Sequence, residues 1–108
     1  SKQQELQCKI DEYDFFLPKD THELRNIGLK MHHCVGSYSD RVIKGDTTIV
    51  GVKDNKNNYT ACIEVSSNLK NILQAKGEYN NQITGSLAST VKQWLEKYNI
   101  KDKSRDIA

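Results

Sequence analysis

Thr47–Ser66, TTIVGVKDNKNNYTACIEVS, decides the fold. Two β-branched runs flank Asp54-Asn55-Lys56-Asn57-Asn58, a stretch of turn-forming side chains. A four-residue loop, Asn55 to Asn58, pairs Asp54 with Tyr59 and, counting back, Val52 with Ala61 and Val50 with Ile63. Those four, with Val65, make one apolar face. Ile49, Gly51, Lys53, Thr60, Cys62 and Glu64 make the other. Such alternation predicts an antiparallel sheet with one buried side.

Working outward, NILQAKG (71–77) reads as a third strand after the turn SSNLKN. With an odd number of turn residues, Gln74 and Lys76 join Cys62 and Glu64; with an even number they point the other way. On the C-terminal side, TGSLASTVKQWLEKYNI carries Leu87, Val91, Trp94, Leu95 and Tyr98 at i, i+4, i+7, i+8 and i+11, the stripe of an amphipathic helix. Thr84 or Ser86 is placed to cap it, and its stripe is expected on the Val/Ile/Ala face of the sheet. Residues 101–108 read as a frayed polar tail.

On the N-terminal side, DTHELRNIGLKMHH predicts a helix ending between Met31 and Cys34. Asp20 is the cap, Glu23 stands at capping-box spacing, and Leu24, Ile27 and Met31 share a face. SYSDRVIKG fits a short second helix closed by Gly45. Residues 1–10 are compatible with a short helix, and the Tyr13, Phe15, Phe16, Leu17 cluster before Pro18 suits an extended segment. The expected fold is therefore α+β: one or two N-terminal helices, a three-stranded antiparallel β-meander, and a C-terminal amphipathic helix packed on the sheet.

The chain has 108 residues, enough for one domain with a single core, and only 36% of them are apolar. A formal charge of +2 is too slight to announce a nucleic-acid or membrane protein by itself. Cys8, Cys34 and Cys62 show no framework spacing, which suits reduced thiols and a cytoplasmic location. No run approaches the ~18 apolar residues of a membrane span. The chain opens on Ser1 in mid-pattern and is expected to be an excerpt of a longer protein.

The candidate chemistry centres on LKMHHCVGSYSDRVIKG, Leu29 to Gly45. His32, His33 and Cys34 are metal-ligand types, but consecutive helical residues point about 100° apart, so no metal site is expected. Cys34 beside His33, just before a helix start, has the ingredients of an activated thiol, with Glu64 or Asp40 as orienting acid. A buried structural thiol is the bland reading of the same residue. His32, His33, Tyr38, Arg41 and Lys44 offer anion-binding donors over a short arc, joined from the sheet by Lys53 and Lys76. Asn80, Asn81 and Gln82 add amides suited to phosphate or base contacts. Glu64, mid-strand, is solvent-facing unless helices cover that side; in that case it needs a partner and sits with Gln74 and Lys76 in a polar pocket.

MHHCVGSYSDRVIKGDTTIVGV, YTACIEV and ILQAKGEYNNQI together resemble the PcfJ-like family of conjugative plasmids and phages. The resemblance rests on His33, Cys34, Val35 and Tyr38, then Gly45, Glu64, Gln74, Gly77 and Asn80, across about Leu24 to Trp94. It implies a domain of a larger cytoplasmic protein of a mobile element, with a supporting part in plasmid transfer or phage DNA metabolism. It supplies no assigned activity. Taken with the residue chemistry, the expectation is a nucleic-acid-associated accessory domain with a phosphate- or nucleotide-binding site at His32, Tyr38, Arg41, Gln74, Lys76 and Asn80. No cofactor or membrane is expected. The partners are nucleic acid or a nucleotide and other transfer or replication proteins. The rival expectations are an enzyme acting on a nucleotide or phosphodiester through His33, Cys34 and Glu64, and a protein-interaction module in which the motif is structural.

Overall fold

In a computed structural model, which describes residues 2–31, 45 and 47–108, Asp54 organises the central hairpin. Its Oδ1 accepts the backbone N–H groups of Lys56 (2.9 Å) and Asn58 (3.0 Å), and its own N–H donates to Asn58 O at 2.9 Å. The hairpin joins β3 (Thr47–Lys53) to β4 (Tyr59–Ser66). Val50 pairs with Ile63 and Val52 with Ala61, as the alternation requires. Beyond them Lys53, not Asp54, pairs with Tyr59, because an irregularity after Val52 absorbs one residue. β5 (Asn71–Gly77) follows antiparallel to β4, with Cys62 opposite Lys76 and Glu64 opposite Gln74. The turn 67–70 is even, and a second bulge, with Leu73 as its extra residue left 43% exposed, shifts the pairing so that Gln74 and Lys76 still share a face with Glu64 and Cys62.

The three-stranded meander with N-terminal helices is corrected: among the described residues the sheet has six strands, in the order β1-β2-β3-β4-β5-β6. The N-terminal segment is a second hairpin, β1 (Cys8–Ile10) and β2 (Tyr13–Phe16), preceded by a single 3-10 turn at Gln4–Leu6. It turns at Asp11, whose φ of 54° is one of the left-handed conformations that a short acidic side chain tolerates. Cys8, Ile10, Tyr13 and Phe15 pack on one side of this hairpin, which β2 joins to β3 through Phe15 opposite Val52. Burial against the rest of the core selects strand over helix here. Phe15 stacks on Trp94 at 5.1 Å and 6°, and Trp94 Nε1 donates to Leu6 O at 2.9 Å.

The polar tail is corrected as well. The C-terminal helix, α2 (Gly85–Tyr98), ends at Asn99 in the left-handed region (φ 55°), and Ile100 N–H closes back on Leu95 O at 2.9 Å. This turn sends the chain along the open edge of β5. There β6 (Lys101–Asp102) pairs in parallel, and Ile83 bridges Ile107. An open edge leaves backbone groups without partners, and the tail supplies them.

Each helix covers one face of the sheet. α2 lies on the face of Val50, Val52, Ala61, Ile63 and Val65, and its Val91 and Trp94 are fully buried there. Tyr13 and Ser86 hydroxyls bond at 3.0 Å, whereas Thr84 forms no side-chain cap. α1 (Thr21–Met31) lies on the opposite face. Asp20 Oδ1 accepts Glu23 N–H at 2.8 Å and Glu23 Oε1 accepts Lys19 N–H at 2.9 Å, so the capping pair forms one residue wider than the usual box. Leu24, Ile27 and Met31 pack with Ile49 and Cys62 into a second core, smaller than the first among the described residues. The short helix expected at 37–45 lies outside the described residues, apart from Gly45 in a turn.

Candidate functional site

Strand alternation and the β4–β5 register bring four of the relevant side chains to one surface. Cys62 and Glu64 leave β4 on the α1 face, and Gln74 and Lys76 leave β5 beside them. Glu64 stands between Ile49 of β3 and Gln74 of β5, under the cluster that α1 forms with the sheet. It is 2% exposed, so the solvent-facing reading of this acid is set aside. A buried carboxylate is costly unless its oxygens are engaged, and neither Glu64 nor Gln74 stands free. Burial, and after it the charge of Glu64, pushes the neighbouring Cys62 thiol up to about 12. Cys62 is therefore a packing residue of this core and not a nucleophile at neutral pH.

Lys76 is half-buried, and its ammonium meets Asp106 Oδ1 at 2.8 Å. The other oxygen of the same carboxylate accepts the Ala75 N–H at 3.0 Å. Asp106 thus occupies the position of an anion at the edge of β5, presented by the tail that the sequence suggested was frayed. Asn80 stands exposed on the 3-10 turn Glu78–Asn80, beyond the end of the ladder at Gly77, with φ 61°. The structure thus brings Glu64, Gln74 and Lys76 together and leaves Asn80 off that sheet surface. His32, His33, Cys34, Tyr38 and Arg41 lie outside the described residues. The last described residue before them, Met31, is fully buried in the core that α1 shares with Ile49 and Cys62.

Sequence reasoning missed two features of this face. Asp106, 30 residues from Lys76, gave no local signal. The second is an aromatic pair beside α1, where Phe16 and Tyr59 ring centroids lie 5.8 Å apart. Lys53 Nζ sits 5.0 Å over Phe16 and Lys30 Nζ 5.6 Å over Tyr59. Gly51 held the signal for it: a glycine inside a strand marks a close approach. A Cβ at that position would fall 2.5 Å from Phe16 Cζ.

Among the described residues no group of three or more His, Cys, Asp or Glu side chains is arranged to hold a metal ion. No helix among them is long and apolar enough to cross a membrane.

Comparison with known proteins agrees with the motifs. A family model described as PcfJ-like protein matches residues 1–91. The chain is 29% identical over 104 residues to an uncharacterized protein, Lin1253/Lin1744, of Listeria innocua serovar 6a; the match covers 94% of this chain and 23% of that protein. The chain thus spans about a quarter of the length of this relative. No solved structure matches.

Proposed function

The chain belongs to the PcfJ-like protein family, and on that premise we propose that it is a nucleic-acid-associated accessory domain of a mobile genetic element, serving plasmid transfer or phage DNA metabolism through a phosphate- or nucleotide-binding site on the α1 face. The observation that carries this reading is the register of β4 and β5, which sets Glu64 beside Gln74 and Cys62 beside Lys76 on one face of the sheet. Lys76 supplies an ammonium to a phosphate oxygen in exchange for the Asp106 carboxylate. Gln74 supplies an amide to a base or sugar edge. To the same site we assign Arg41 as a further cation and His32, His33 and Tyr38 as hydrogen-bond donors, all of which follow α1 in the chain. Glu64 is the acceptor that orients a donor from that set, because a buried acid beside a phosphate site holds an imidazole or guanidinium in place. Fluorescence anisotropy with a short labelled oligonucleotide tests it. Binding at low salt that weakens as salt rises supports the reading, and a drop in affinity with Lys76→Ala, at unchanged melting temperature, assigns it to this face. No binding of oligonucleotide or nucleotide at low salt overturns it.

The burial of Glu64 also favours a second reading, in which it orients His33 as the base for a Cys34 thiolate acting on a nucleotide or phosphodiester. Selective alkylation of Cys34 near neutral pH, ahead of Cys8 and Cys62, supports that enzyme; equal or slower labelling of Cys34 argues against it.

A further inference from the structure

The geometry points to the Lys53–Phe16–Tyr59–Lys30 array as a stacking surface for an unpaired nucleobase, so that the nucleic acid this domain takes is single-stranded; the inference rests on the nucleic-acid reading above and names its ligand class. The array begins with Gly51. Phe16, the last residue of β2, sits opposite Gly51 in the ladder, and its ring tip fills the space that any larger residue would occupy. The ring is thus fixed on the backbone of β3. Tyr59, the first residue of β4, stands next to it with an interplanar angle of 33°. Both rings are half-buried, so part of each remains accessible. The two ammonium groups stand over these rings from different elements, Lys53 from β3 and Lys30 from the last turn of α1.

Two rings flanked by two cations combine what a single strand needs: a π-surface for a base and charges for the phosphates on either side. Flexible four-carbon stems let the lysines leave the rings for phosphate oxygens as a base takes their place. The neighbouring cleft has a volume of about 460 Å³ and is lined by Lys30, Asn57, Asn58, Tyr59, Thr60 and Glu78. Its asparagine amides carry both donors and acceptors for a base edge. Glu78 on the rim repels a phosphate, which leaves the base as the group that enters. A duplex keeps its bases stacked inside and offers no face to these rings.

The test uses the 108-residue chain and three labelled probes of equal length: oligo(dT), the same backbone with abasic sites, and a duplex. Oligo(dT) is expected to bind at least about tenfold tighter than the abasic strand and the duplex, since one stacked base contributes about 1–3 kcal/mol. Tyr59→Ala is expected to weaken oligo(dT) binding roughly five- to a hundredfold and Tyr59→Phe to restore it. Where Tyr59→Ala lowers the melting temperature, the surface pair Lys30→Glu and Lys53→Glu serves instead, and it should lower the magnitude of the logarithmic salt slope by about 1.4. Equal binding of the three probes, or an unchanged slope in the lysine pair, overturns the inference. If oligo(dT) binding survives these substitutions but is lost with Lys76→Ala, the array fails and the Glu64–Gln74–Lys76 reading stands. If the wild-type chain binds neither oligonucleotide nor nucleotide at low salt, both fall.

Discussion

The two faces of one sheet have opposite compositions. Under α2 the interior is aliphatic and aromatic, with Phe15, Ile63, Ile72, Val91 and Trp94 among sixteen buried residues. Under α1 the core has five buried members among the described residues, one of them a cysteine, and the sheet beside it carries a buried glutamate, a glycine beneath a phenylalanine, and lysines at the margin. Hydrophobic burial scales with apolar area, so among the described residues the α2 face supplies most of the apolar burial. The described part of the α1 face buries less and carries Glu64, Gln74 and Lys76.

Substitutions should separate the faces by size of effect. The largest is expected for Trp94→Ala, which removes the ring stacked on Phe15 and orphans the Leu6 carbonyl: a loss of about 3–5 kcal/mol in denaturant unfolding, enough to threaten the fold. A loss below 1 kcal/mol would break the assignment of stability to α2. Gly51→Ala should cost about 1–3 kcal/mol, because the Phe16 ring must move off the backbone. This cost should disappear when Phe16→Ala is combined with it, and a persistent cost would place the strain elsewhere.

Smaller effects concern titration. Buried and with its thiol pushed up to about 12, Cys62 should resist alkylation in the native protein at pH 8, while half-buried Cys8 reacts ahead of it. Rapid native labelling of Cys62 would mean that α1 opens readily. At the hairpin tip, the Asn58 and Lys56 N–H groups hold the Asp54 carboxyl below its ordinary 3.8. A depressed folded value means that its contribution is present above about pH 3.8 and is lost as pH falls through the lower folded value. Protection of the Lys56 and Asn58 amides, taken relative to their intrinsic exchange at each pH, should fall in that acid window, with β4 and β5 unchanged. A fall spread over all strands would show a global transition instead.

Much of this contrast was legible in the sequence, because it rests on local rules. Val50, Val52, Ala61 and Ile63 alternate, Asp54 carries turn chemistry, and Leu24, Ile27 and Met31 share a helical face; each appears in the structure where the pattern puts it. What the pattern could not supply was pairing at a distance. The extended reading of Tyr13 to Leu17 holds in β2, but Cys8 and Ile10 fell in a segment compatible with a helix, and nothing local foretells that they pair with Phe15 and Tyr13. The tail looked frayed because Lys101, Asp102 and Lys103 are polar, yet the edge of β5 needs hydrogen-bond partners and takes them from backbone groups and from Asp106, whatever the side-chain polarity. The candidate site shows the same limit. Alternation alone left the side of Gln74 and Lys76 open, and the bulge at Leu73 is what sets them beside Glu64 and Cys62 after an even turn; the hold of Asp106 on Lys76 and the aromatic pair across β2 and β4 are likewise tertiary facts.

The central claim is that nucleic acid meets the α1 face and leaves the α2 face untouched. Methyl NMR during a titration with short oligo(dT) tests it most directly, because Met31 and Ile49 report one core and Ile63 and Val91 the other. The expected result is progressive, saturable shifts of the Met31 and Ile49 methyls with those of Ile63 and Val91 unmoved. Shifts confined to Ile63 and Val91, or no shift in either group at low salt, would contradict it.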